Sequence, residues 1–142
     1  MQQTAWLHAV PKDDKKGRLT GEDAKVSRLD QFKAEDRAIV MPENPAPYIT
    51  EWLFEIGPVT GGAMGRGRIE WQDISAWSRM MATELLPWEA RLIRRLSQDY
   101  LTMLAKAEKP DCPAPWISET EANRNVVASK VAAIFGGRSR KD

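Results

Sequence analysis

A chain of 142 residues is long enough for one modest domain with a real core. Its 21 basic and 20 acidic residues leave a formal charge of +1, without the basic excess expected of a protein that grips many phosphates. Cys112 is the single cysteine, so no intrachain disulfide can form, and no stretch nears the roughly 20 apolar residues of a membrane-spanning helix.

The opening segment lacks the basic and apolar runs of a secretory signal, so a soluble, intracellular protein is expected. The first zone, residues 1–47, reads as an extended N-terminal arm. It carries Trp6, Leu7 and Val10, then the charged run PKDDKKGR. Val26, Leu29 and Phe32 form a thin stripe at helical spacing, which predicts a short helix starting at Thr20 or Glu22 and ending by Ile39. Pro42, Pro45 and Pro47 then block helix continuation.

Residues 48–108 read as the core domain, built on three helices. Tyr48, Ile49, Trp52, Leu53 and Ile56 place one apolar face on the first, with prolines at its start and Gly57 at its end. Phe54 lies on the same segment. The glycine-rich stretch GGAMGRGR follows, read as a flexible connection. Trp71, Ile74, Trp77 and Met81 align on the second helix. Pro87 and Glu89 suit the first turn of the third, along which Trp88, Leu92, Leu96, Tyr100 and Leu104 step by four. Ile93 and Met103 widen that stripe. The zone 109–142 holds a proline-rich loop, a helix and a basic tail. Ser118 and Glu121 have capping-box spacing, Val127, Val131, Ile134 and Phe135 mark the helix, and glycines end it. No convincing strand pair stands out, RAIVM being the one β-like run, so the fold class is mainly α.

Chemical motifs are sparse. Aligning Gly62 with Gly67 reproduces the glycine spacing of a phosphate-binding loop, but Arg68 and Ile69 replace its lysine and hydroxyl. His8 and Cys112 sit far apart in sequence, so no zinc spacing exists, and Asp13/Asp14 and Glu35/Asp36 lie in mixed-charge segments. Ser75, Ser78 and Ser97 have no nearby histidine. No catalytic residue, cofactor or metal is expected, and the protein reads as a binding protein. The candidate partner-binding residues are Trp52, Phe54, Trp71, Trp77, Trp88, Arg91 and Arg95, from the residue types that dominate interface hot spots together with Phe54. For the tryptophans, the competing reading is simple core packing.

Order and spacing between Tyr48 and about Leu104 add a resemblance. An aromatic-rich helix, a glycine-rich connection, Ile69, Trp71, Ile74, Ala76 and Trp77, then Leu85, Pro87, Trp88 and Glu89, then Asp99 and Tyr100, together resemble the tail assembly chaperones of bacteriophages and prophages. The resemblance implies a non-enzymatic role in the host cytoplasm. The partners it implies are the helical tape measure protein, the tail tube protein and further copies of the chain, with the mature virion free of the chain. It covers less than half of the sequence. Two other readings stay open: a tail completion or adaptor protein kept in the virion, and a small nucleic-acid binder using Arg91, Arg94, Arg95 and the GRSRKD tail.

Overall fold

The computed structural model describes residues 1–12, 26–62 and 65–136. The expected helix start at Thr20 or Glu22, the Asp13/Asp14 pair and all but the first glycine of the 136–142 tail lie outside these residues. In chain order the elements are α1 (Gln2–His8), α2 (Arg28–Ala34), α3 (Pro47–Ile56), β1 (Thr60–Gly62), β2 (Gly65–Gly67), α4 (Trp71–Met80), α5 (Pro87–Lys106) and α6 (Glu119–Gly136). The fold is mainly helical, as the periodicity predicts.

The long helix α5 organises the rest. Pro87 occupies its first turn, and the Glu89 carboxylate reaches back to accept from Leu86 N at 2.8 Å. One orphan donor of the helix start is thereby satisfied. Helices α1 and α3 pack on α5, α4 packs on α3, and α2 packs on α1. The core divides along α5. Ile49, Leu53, Ile69, Ile74 and Ile93 fill one cluster, whereas Ala5, Ala9, Tyr100, Leu104 and Ala107 fill the other.

The second cluster corrects the N-terminal boundary. The start of the chain is not an extended arm, because Ala5, Leu7 and Ala9 are buried against the rest of the fold. Two alanines one turn apart let α1 approach α5 closely. Trp6 adds a bond from Nε1 to the Cys112 carbonyl at 2.9 Å, which fastens the proline-rich loop to α1. The core therefore starts at residue 1 and not at 48.

Helix α2 is also shorter than the stripe predicts. Asp36 takes φ 51°, its N–H donates to Lys33, and the Arg37 N–H donates to Phe32. This left-handed stop satisfies the last carbonyls and ends the helix before Ile39. Ala82, at φ 50°, ends α4 in the same way, with the Thr83 N–H donating to Ser78.

The glycine stretch is likewise not a loose connection. It forms a two-stranded antiparallel hairpin that pairs Thr60 with Gly67, Gly61 with Arg66 and Gly62 with Gly65. Gly65 sits at φ 107°, where a side chain would be strained. Ser97, fully buried on α5, closes the base: its Oγ accepts from Ile69 N at 3.0 Å and donates to Pro58 O at 2.8 Å. One hydroxyl thus fixes the entry and the exit of the hairpin. Ser97→Ala should cost about 1–3 kcal/mol, because the buried Ile69 N–H loses its acceptor. Urea unfolding measures this, and hydrogen exchange should quicken at Ile69. A variant as stable as the parent would dismiss the anchor.

Candidate partner-binding surface

The seven residues singled out in the sequence fall in different places. Trp77 is buried at 9% exposure, its ring 5.6 Å from that of Trp52, and its Nε1 donates to Glu55 at 3.2 Å. Trp52, half-buried, also meets Tyr48 edge to face. These two tryptophans join α3 to α4. Phe54 lies elsewhere, edge to face with His8 and Tyr100. Trp71 and Trp88 are each 48% exposed; of the stripe read along α5, Tyr100 and Leu104 are buried and Leu92 and Leu96 half-buried, but Trp88 at its start is not covered. The buried row is Glu89, Ile93, Ser97, Tyr100 and Leu104.

Three of the seven come together. Trp71, Arg91 and Arg95 line a pocket of about 310 Å³ with Arg68, Arg94 and Gln98. The exit of the hairpin supplies Arg68, the first residue of α4 supplies Trp71, and one face of α5 supplies the others. The Arg94 guanidinium stacks over the Trp71 ring at 4.8 Å and donates from Nη2 to Glu70 at 2.7 Å. Arg68 Nε lies 3.6 Å from the same carboxylate. The hydrogen bond from Arg94 is the main cause holding Glu70 below the usual carboxylate range, with the charges of Arg94 and Arg68 adding to it. Among the described residues, Arg91 and Arg95 are exposed and have no ion-pair partner. Arg91 and Arg95 are among the candidates that the sequence offers, whereas Arg68 stands out there only as a departure from a phosphate-binding loop. Folding brings Arg68 to them across the sequence.

The corner between α4 and α5 adds an apolar surface. Met80, Met81, Leu86 and Trp88 are 83%, 52%, 55% and 48% exposed. Methionine side chains are flexible and polarisable, and they adapt to varied partners.

A second concavity, of about 590 Å³, lies beside α1 and is lined by His8, Lys12, Arg66, Leu101, Leu104 and Glu108 among others. Lys12 Nζ pairs with Glu108 at 2.6 Å. His8 Nδ1 is 2.8 Å from the Tyr100 hydroxyl. Burial lowers the His8 pKa, with Asp30 opposing and Lys33 assisting, and burial raises that of Tyr100. Both groups are therefore neutral near pH 7, and they share one hydrogen bond whose donor is set by the imidazole tautomer. Among the described residues the bonded partner of the imidazole is this tyrosine, not a serine or cysteine. Nor do the described residues hold a group of three or more His, Cys, Asp or Glu side chains placed for a metal ion.

No family model, curated protein or solved structure matches the chain. The surface must be read from its own chemistry. Among the described residues no helix is long and apolar enough to cross a membrane. What the arrangement offers is recognition: the half-exposed Trp71 indole beside guanidiniums with hydrogen-bonding capacity to spare.

Proposed function

We propose that this chain is a tail assembly chaperone of the bacteriophage type. It covers an apolar helical segment of a tape measure protein until tail tube subunits assemble around it. The observation that carries the reading is the exposed Met80, Met81, Leu86 and Trp88 at the α4–α5 corner. Large apolar side chains left in water beside a charged surface are what a transient helix-binding protein needs. A long partner with bare apolar stripes aggregates unless such a surface meets it. The order of aromatic, glycine-rich and proline-tryptophan segments between Tyr48 and Leu104 supports the same reading through its resemblance to that family.

The test uses the full chain and a helical fragment of a bacteriophage tape measure protein. The chain should keep the fragment in solution and bind it. Trp88→Ala combined with Leu86→Ser should weaken binding by about 2 kcal/mol or more, as loss of hot-spot residues does. A fragment that precipitates equally with and without the chain refutes the chaperone role. Detection of the chain in purified particles would instead favour the adaptor reading.

A further inference from the structure

We infer that the arginine-lined pocket between the hairpin exit and α5 is a carboxylate-binding site, taking two acidic side chains one turn apart on a helical segment of a protein partner. Four guanidiniums, those of Arg68, Arg91, Arg94 and Arg95, converge on it, together with Gln98 and Trp71. Glu70 answers two of them, pairing with Arg94 and Arg68. It shows within the chain what this surface does to a carboxylate, which is to hold it in the ionised form. Arg91 and Arg95 stand one turn apart on α5, where like charges repel, and among the described residues neither has a carboxylate within ion-pair distance. Their spacing matches two carboxylates one turn apart on a facing helix. Guanidinium forks suit carboxylates in geometry as well as charge. The half-exposed Trp71 ring, braced by Arg94, forms the apolar wall beside them.

Charge argues for a peptide and against a polyanion. The whole chain carries a formal +1, and the pocket is a single recess and not a track for successive phosphates. The site does not depend on the chaperone reading. An acidic peptide bound here, with no affinity for tape measure fragments, would retain the site and remove the chaperone.

The probes are a blocked helical peptide with two glutamates one turn apart beside a leucine, its glutamine counterpart, and a single-stranded DNA of similar length. Each is labelled and titrated by fluorescence anisotropy against the full chain. The glutamate peptide should bind best, and its glutamine counterpart about tenfold more weakly. Arg91→Gln with Arg95→Gln should cost about tenfold for the glutamate peptide while leaving the melting temperature unchanged, since both side chains are exposed. Arg37→Gln, a distant exposed position, should leave binding intact. Arg91→Glu with Arg95→Glu should transfer preference to a lysine-bearing peptide, a gain that general damage to the fold cannot produce. The site is overturned if the glutamine peptide binds equally well, if the double glutamine variant binds like the parent, or if the DNA binds more tightly than the glutamate peptide.

Discussion

Arg28→Ala should destabilise the protein by about 3–5 kcal/mol, lowering its melting temperature by about 10 °C. Arg28 is 5% exposed, and its guanidinium joins three parts of the chain. Nη1 donates to the Ala107 carbonyl at 2.5 Å, and Nη2 donates to that of Lys109 at 2.8 Å. The guanidinium also lies over the Trp6 ring, 4.9 Å from its centroid. Ala107 caps the 20-residue helix α5, where carbonyls lack helical partners and the dipole favours a cation. Hydrogen bonds to a charged group contribute about 1.5–3 kcal/mol each, and alanine removes two of them. Arg28→Lys should recover only part, because one ammonium cannot span both carbonyls with the same geometry. Denaturant unfolding of both variants gives the comparison. A loss below about 1 kcal/mol for alanine would place Arg28 among ordinary surface residues and dismiss the clamp.

Arg28 also shows why part of the fold is not legible in the sequence. Apolar periodicity finds α3, α4 and α5, because Ile49, Leu53, Ile74 and Ile93 carry their cores. It passes over α1, whose buried residues Gln3, Ala5 and Leu7 include one large apolar side chain, and it passes over the buried Arg28. The α5 stripe shows the limit more sharply. A step of four residues turns 400°, so the row from Trp88 through Leu92 and Leu96 drifts around the helix. The buried row keeps to one face by mixing steps of three and four, and two of its members, Glu89 and Ser97, are polar. Their reward is a hydrogen bond and not apolar burial, which hydropathy does not register. The hairpin fails to announce itself for a related reason. Its strands are glycine-rich, a composition that disfavours strands, and a serine 28 positions beyond Ile69 closes it.

Much the same holds for the candidate surface. Tryptophan and arginine content drew attention to Trp71, Arg91 and Arg95, but not to which tryptophans remain in water. Exposure depends on where the partner helix lies. Trp77 faces α3 and is covered, whereas Trp71, six residues earlier on the same helix, instead meets Arg94 from α5. A six-residue difference turns 600°, or 240° beyond a full turn, so the two rings cannot share a face.

Trp77→Ala and Trp88→Ala should consequently have opposite effects. The first empties a space between α3 and α4, and truncating a buried tryptophan costs about 3–5 kcal/mol, a large share of the roughly 5–15 kcal/mol that holds a domain. It also strips Glu55 of the Trp77 indole donor. Helix α4 should then detach from α3 first, taking with it Trp71 and its capping residue Glu70, so the arginine pocket loses its wall and its internal carboxylate. Trp88→Ala removes a ring already 48% exposed at the start of α5, where Pro87 and Glu89 still set the helix. Its stability should stay within about 1 kcal/mol of the parent. Thermal melts of the two variants, followed by titration with the acidic peptide, separate the roles. Trp77→Ala should melt early and bind poorly in proportion to its unfolding, whereas Trp88→Ala should melt normally and keep the arginine pocket. An early-melting Trp88→Ala would mean that its ring is covered in solution. The α4–α5 corner could not then serve as an open apolar surface for a helix.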